Sequence, residues 1–299
     1  MLRKEWPLIF NTILAQLAAG IFIFLSADIM FVLHGLLEPA ANLNLNGTGL
    51  ALAGPIIILA MFLSLFHLGK PFRAYRAMAN LPVSWLSWEI FLSGAFLILW
   101  AVTYFINKPY PYLLGITSLV ALLNVVSMGN IYSSTGRPGW KGAVTYLDFI
   151  GSMVMFGSVA SAFIIGGADE FKFLINAPMI ACQLILAIEL IAILAFVFKQ
   201  KAAADESSLD QLACSSDLNE DLLSKYLKIS ISGWFLSFMG VEIVYLNIHG
   251  YITLSLLLPV IFVFAGELIK RYSFFMLVGE SEDSSQYISA ISYSKNSNK

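Results

Sequence analysis

Charged residues and cysteines are both scarce in this chain of 299 residues. Charged side chains make up 12% and hydrophobic ones 59%, with a mean hydropathy of +0.80, whereas soluble domains carry about 25% charged residues. A soluble fold of this composition would need an implausibly large core. Of the two cysteines, Cys182 lies in an apolar run and Cys214 in an acidic segment, so they form neither a Cys-x-x-Cys pair nor a disulfide framework. We therefore expect no iron–sulfur cluster within this chain.

Long apolar runs occupy most of the sequence instead. A helix that crosses a hydrocarbon layer of about 30 Å needs roughly 20 apolar residues, and eight stretches meet that requirement. They are 7–34, 49–68, 84–106, 111–132, 143–166, 176–199, 228–247 and 251–277. The sequence predicts an all-α membrane protein, an eight-transmembrane-helix bundle. It forms one domain over residues 1–278, with a polar acidic loop at 200–227, followed by a polar, mobile tail at 279–299.

Basic residues are divided very unequally between the two sides of the predicted bundle. One side receives fifteen of the seventeen, whereas the other side receives only Lys108 and Lys172. The fifteen are Arg3, Lys4, Lys70, Arg73, Arg76, Arg137, Lys141, Lys199, Lys201, Lys225, Lys228, Lys270, Arg271, Lys295 and Lys299. Because basic loops favour the cytoplasm, we predict a multi-pass membrane protein with both termini in the cytoplasm. Docking of an acidic partner subunit is a second explanation for the same basic side.

The three histidines bear on whether the bundle binds haem, since haem iron needs axial ligands such as histidine. His34 and His249 fall on the side of the bundle opposite His67, each beside a glycine near a helix end. They could hold a haem at that surface, or they are simply interfacial loop histidines. Their flanks lack the small residues that would admit a macrocycle, so we predict no haem.

His67 and Glu89 are the candidate catalytic residues. His67 closes an apolar run and opens the basic loop 70–76, and Glu89 follows 22 positions later, a few residues into the next apolar run. The two groups therefore lie at similar depth on the same side of the predicted bundle. An imidazole and a carboxylate can together accept two protons where water is scarce. Oxidation of a membrane quinol requires such acceptors.

Other ionisable and aromatic residues lie near these two. A carboxyl group in hydrocarbon is costly enough to suggest function, and the helical rise puts Glu267 in the same half of the membrane as His67. We therefore take Glu267, Arg73, Arg76 and Trp85 as candidates that bind quinol or support its binding. Each has a plainer explanation: packing for Glu267, the cytoplasmic surface for the arginines, and an interfacial aromatic belt for Trp85.

The sequence around the candidate site also carries a distinctive set of motifs. His67-Leu68-Gly69 is followed by Pro71, Arg73-Ala74, Asn80 and Glu89. Glu5-Trp6-Pro7-Leu8, the 16–20 segment and Ala265-Gly266-Glu267-Leu268-Ile269-x-Arg271 belong to the same set. Together they resemble the membrane anchor subunit of the anaerobic dimethyl sulfoxide reductase family (DmsC-like), over effectively the whole apolar chain. Lys70, the long acidic sixth loop and the long tail depart from the family pattern.

The resemblance implies an anchor subunit of a molybdopterin oxidoreductase that binds and oxidises menaquinol in anaerobic respiration. Menaquinol is then an exchangeable substrate, and the chain itself carries no redox centre. Electrons pass to a four-cluster, ferredoxin-like iron–sulfur subunit and on to a molybdopterin catalytic subunit. The expected partners are these two subunits and membrane lipid, with no nucleic acid. In the family, the residues matching His67 and Glu89 are associated with menaquinol binding and oxidation.

Two other functions stay open at this point. A secondary transporter commonly contains broken helices and inverted repeats, and neither is evident in the sequence. A passive structural anchor would use its intramembrane acids for packing only. An active anchor needs an electron acceptor close to the quinol, so we expect the iron–sulfur subunit to cover the 70–76 loop together with Arg137 and Lys141.

Overall fold

A computed structural model describes residues 2–35, 48–67, 80–81, 83–106, 108, 110–135, 140, 142–165, 172–207, 220–252, 255 and 257–296. Within these ranges the chain forms eight α-helices and a short 3-10 turn, and no β-strand. The helices are α1 (Leu2–Leu33), α2 (Thr48–Ser64), α3 (Trp85–Ile106), α4 (Pro111–Ser133), α5 (Ala143–Ile165), α6 (Lys172–Ser207), α7 (Glu220–Ile248) and α8 (Leu257–Asn296). The turn Leu65–His67 continues directly from α2. The all-α prediction is confirmed.

Six helices in the described part of the chain are long and apolar enough to cross a membrane. Their spans are Trp6–Leu33, Trp85–Ile106, Pro111–Ser133, Ala143–Phe163, Asn176–Ala202 and Leu222–Ile248. The apolar part of α2, Gly49–Ser64, is shorter, and α8 carries Glu267, Lys270 and Arg271 close together. The chain is a multi-pass membrane protein, and eight crossings stay a prediction.

The helices extend beyond the predicted apolar runs in the polar parts of the chain. α6 continues to Ser207 and α7 begins at Glu220, so both ends of the predicted 200–227 loop are helical. α8 continues to Asn296, so the backbone of most of the predicted tail is helical as well. Polar and charged residues predominate in these extensions, so the apolar runs alone do not indicate them. The mobility of the tail stays a prediction.

α1 lies at the centre of the bundle. Of its apolar span, 72% is buried, compared with 28% for the spans of α3 and α6. It packs against α2, α4, α5 and α8, with Ile13, Phe22 and Leu25 fully enclosed. Polar residues on different faces of α1 can therefore contact different neighbouring helices.

Glycines allow two pairs of helices to approach closely. Gly157 on α5 faces Gly20 on α1, where an added Cβ would lie 2.6 Å from the Gly20 carbonyl oxygen. Gly266 on α8 faces Gly233 on α7 in the same way, with 2.6 Å to the Gly233 carbonyl oxygen. Because lipid tails are as apolar as the helices, close packing of small residues is a principal source of helix association in membranes. These contacts hold α5 against α1 and α8 against α7.

We expect Gly266→Ala to lower the free energy of unfolding by about 1–3 kcal/mol, because the new methyl group must push the α7 backbone away. Gly94→Ala is the matched control, since an added Cβ on Gly94 meets nothing within 4 Å. Thermal unfolding in detergent should show a lower midpoint for Gly266→Ala alone. Equal midpoints for wild type and Gly266→Ala would contradict the close α7–α8 contact.

Candidate functional site

Glu89 lies near the start of α3 and faces the N-terminal half of α1. The Asn11 Nδ2 atom on α1 donates a hydrogen bond to Glu89 Oε1 at 3.0 Å. Asn11 is buried and Glu89 is partly buried. An amide donor stabilises the ionised carboxylate less than a cation would, so this arrangement leaves Glu89 able to take up a proton. The sequence analysis did not identify Asn11. An amide side chain within the apolar run of α1 was the feature that could have indicated it.

His67 ends the turn that follows α2, and its side chain lies outside the described residues. The turn packs against α1 and α2, and the Phe66 ring centroid lies 6.0 Å from that of Trp6 on α1. Trp6 and Asn11 both belong to the first turns of α1. The structure thus brings the backbone at His67 and the carboxyl of Glu89 to the same end of the bundle.

The proposed supporting residues fall in different places. Trp85 is the first residue of α3, one turn before Glu89, and it is 46% exposed. It therefore lies on the same face of α3 as Glu89, because residues four apart are neighbours on a helix. Arg73 and Arg76 lie outside the described residues. Glu267 lies in a different group of polar side chains.

We call this group the α8 charge cluster, and it consists of Asp148, Glu189, Glu267, Lys270 and Arg271. Lys270 Nζ lies 2.7 Å from Glu189 Oε2 and 2.9 Å from Glu267 Oε1. Arg271 Nη1 lies 2.7 Å from Asp148 Oδ2. Buried ions need such partners because the interior replaces little of their hydration. The cluster therefore joins α8 to α5 and α6.

Uncharged side chains complete the contacts of the cluster. Glu267 accepts hydrogen bonds from Ser152 Oγ at 2.6 Å and Ser237 Oγ at 2.8 Å. Arg271 Nη2 donates to Gln16 Oε1 on α1 at 2.9 Å, and its guanidinium carbon lies 3.8 Å from the Phe149 ring centroid. Gln16 and Asn11 are five residues apart, which at 3.6 residues per turn puts them roughly 140° apart around α1. The cluster and Glu89 therefore contact different faces of α1.

The cluster changes the interpretation of two basic residues. The charge pattern assigned Lys270 and Arg271 to the basic side of the membrane, but their side chains are only 5% and 1% exposed. They are ion-paired inside the bundle. Thirteen of the fifteen basic residues remain for the basic side, so its excess over the other side persists. Lys270 stands three residues after Glu267, and that spacing within an apolar run was the available signal.

Polar residues toward the opposite end of the bundle form separate, smaller contacts. Ser161 Oγ donates to Asp28 Oδ2 at 2.7 Å, and Gln183 Nε2 donates to Glu242 Oε1 at 2.7 Å. The His249 ring Nδ1 lies 2.9 Å from the carbonyl oxygen of Tyr245 on its own helix. In the described part of the chain, no three His, Cys, Asp or Glu side chains are grouped to hold a metal ion.

Comparisons with known proteins agree with one another. The model of the family described as DMSO reductase anchor subunit (DmsC) matches residues 2–277. The C subunit of the anaerobic dimethyl sulfoxide reductase of Escherichia coli is 26% identical over 293 residues, which cover 92% of this sequence and 96% of that protein. The protein of the same name in Haemophilus influenzae is 27% identical over 166 residues, which cover 52% of this sequence and 57% of that protein. The family match includes the candidate site and the whole α8 charge cluster.

We expect Arg271→Gln to lower the free energy of unfolding by about 3–5 kcal/mol, because the buried Oδ2 atom of Asp148 then loses its cation. Adding Asp148→Asn removes the unpaired charge, so the double variant should recover part of the loss. Lys199→Gln, at an exposed position on α6, is the control for loss of one positive charge. Denaturant unfolding in detergent measures wild type, both single variants, the double variant and the control. A loss in the double variant equal to the sum of the losses in the two single variants would show that Arg271 and Asp148 do not interact.

Proposed function

The chain belongs to the DMSO reductase anchor subunit (DmsC) family, and on that premise we propose that it binds and oxidises menaquinol and passes the electrons to an iron–sulfur subunit. Glu89 carries the proposal. Its carboxyl is bonded to the neutral amide of Asn11, at the end of the bundle where the His67 turn packs on α1. The chain then supplies the quinol oxidation site, and a molybdopterin catalytic subunit reduces the terminal acceptor in anaerobic respiration.

Oxidation of a quinol to a quinone releases two electrons and two protons. In the proposed mechanism Glu89 accepts one proton and His67 the other, while Asn11 orients the Glu89 carboxyl. A positioned acceptor contributes about 10²–10⁴-fold to the rate of proton transfer. Trp85 borders the headgroup from the turn before Glu89. Arg73 and Arg76 support binding from the basic loop. The support from Glu267 is indirect, since its contacts are with Ser152, Ser237 and Lys270 in the α8 charge cluster, which holds the helices around α1 together.

The electrons leave through a partner, because the proposal assigns no redox centre to this chain. We propose that a four-cluster, ferredoxin-like iron–sulfur subunit covers the 70–76 loop together with Arg137 and Lys141, next to the quinol. The molybdopterin subunit binds to that subunit. The basic side, with both termini, faces the cytoplasm of a bacterium whose inner membrane holds the complex. Charge pairs across such an interface contribute more to recognition than to affinity.

We expect Glu89→Gln to slow menaquinol-dependent reduction of the partner clusters by about 100-fold, because the amide cannot accept a proton. The KM for quinol should change little, since the shape and one hydrogen bond are kept. Glu242→Gln removes a carboxyl that contacts Gln183 toward the other end of the bundle, and it should react at the wild-type rate. An unchanged rate in Glu89→Gln would favour a passive structural anchor.

His67→Ala should abolish quinol oxidation while the complex still assembles. A residue at the end of a helix contributes little packing, so we expect a loss of stability of no more than about 1–2 kcal/mol. His249→Ala is the matched control, because its ring contacts the carbonyl of its own helix. Quinol-dependent turnover and copurification of the partner subunits are measured for both variants. Wild-type turnover in an assembled His67→Ala complex would exclude His67 from the site.

A further inference from the structure

A cavity of about 60 Å³ with both polar and apolar walls lies beside the α8 charge cluster, among α5, α6, α7 and α8. Asp148, Glu189 and Lys270 line it together with Tyr226, Ser230 and Ser273. A water molecule needs roughly 10–15 Å³ of such space and two or more polar partners. The cavity is therefore large enough and polar enough to hold several waters.

The cavity reaches the helix ends on the basic side. Val144, the second residue of α5, lines it and is 49% exposed. Tyr226, in the second turn of α7, lines it as well. Glu189 lies farther inside, at 5% exposure. Water can thus extend from the basic side of the membrane toward the Glu189 carboxyl.

The α8 charge cluster contains three carboxyl groups and only two cations. With every group ionised it carries one uncompensated negative charge, which is costly inside a membrane bundle. One bound proton makes the cluster neutral. The question is then which carboxyl holds that proton.

Hydrogen bonding distinguishes the three carboxyls. Both oxygens of Glu267 accept hydrogen bonds from serines, and Asp148 is ion-paired with Arg271. Glu189 Oε2 contacts Lys270, but its buried Oε1 has no hydrogen-bond partner within the described residues. A proton on Glu189 leaves Lys270 paired with Glu267 at 2.9 Å, whereas a proton on Asp148 would leave Arg271 without an ionised partner within the described residues. The cavity offers the space for a water that bonds to the Glu189 carboxyl.

We propose that Glu189 is a proton-binding site that exchanges its proton, through water in this cavity, with the basic side of the membrane. The titratable groups around it are Asp148 from α5, Cys182 from α6, Tyr226 from α7, and Glu267, Lys270 and Arg271 from α8. The site is separate from Glu89, because the two contact different faces of α1. It goes beyond the proposed quinol oxidation and does not depend on it.

Cysteine labelling tests whether the cavity holds water. Ser230→Cys on α7 lines the cavity, and Ser237→Cys lies two turns further along the same helix, equally buried but bonded to Glu267. A charged methanethiosulfonate is applied to membrane vesicles of either orientation that contain the full-length protein, and labelling of the parent protein is subtracted. Because a thiol reacts as the thiolate, Ser230→Cys should react at least about tenfold faster than Ser237→Cys. Ser230→Cys should be labelled only when the reagent is applied to the basic side of the membrane. Equal rates, or labelling from the other side only, would overturn the proposal.

Infrared spectroscopy tests the proton itself without any need for quinol turnover. The carbonyl stretch of a protonated carboxylic acid should shift when the membranes are transferred to D₂O, and Glu189→Gln should remove that component. Glu242→Gln should retain it. A full, exchanging band in Glu189→Gln would show that another group holds the proton. If Glu189→Gln does not accumulate, Glu189→Asp takes its place: the exchanging band should change in frequency, and an unchanged band would overturn the proposal.

Discussion

The arrangement of the bundle depends on compensating charge away from water. Arg271 is only 1% exposed, and its guanidinium contacts Asp148 on α5 and Gln16 on α1, while Lys270 contacts Glu189 on α6. An ion moved from water into a protein interior must find partners of good geometry, or its burial costs several kcal/mol. Gly151 helps to make room, since an added Cβ there would lie 2.9 Å from Glu189 Oε1. The α8 charge cluster thus fixes α8 against three other helices.

The central helix separates two polar regions with different access to the membrane. Asn11 and Glu89 lie beside residues that face outward, with Phe66 58% and Trp85 46% exposed. A lipid-soluble quinol can approach such a site from the bilayer. The α8 charge cluster, in contrast, is enclosed by helices and supplies charged groups to the wall of a cavity. The same helix therefore supports a site suited to an apolar substrate and a site suited to protons and water.

The positions of the helices could be predicted from the sequence, because the thickness of the hydrocarbon layer acts on each apolar run separately. Hydrocarbon thickness sets the length of apolar runs. Each of the eight predicted runs overlaps one of the eight helices in the described ranges, and six of these helices are long and apolar enough to cross a membrane. The helical extensions of α6 and α7 were not found, because the acidic residues between the two apolar runs predict a solvated loop, and Leu222 and Leu223 are too few to indicate a membrane helix. The interior roles of Lys270 and Arg271 were missed as well. Their partners Glu189 and Asp148 are distant in sequence, and only the packing of α5, α6 and α8 brings them together.

The most direct test of quinol oxidation is rapid-mixing reduction of the iron–sulfur clusters in the purified complex by a menaquinol analogue, followed by electron paramagnetic resonance. The account predicts fast reduction in the complete complex and none in the two partner subunits freed of this protein, although dithionite reduces the clusters in both preparations. Equally fast reduction without this protein would contradict it. The account would also be contradicted if, in the complete complex, dithionite reduces the clusters and the quinol analogue does not.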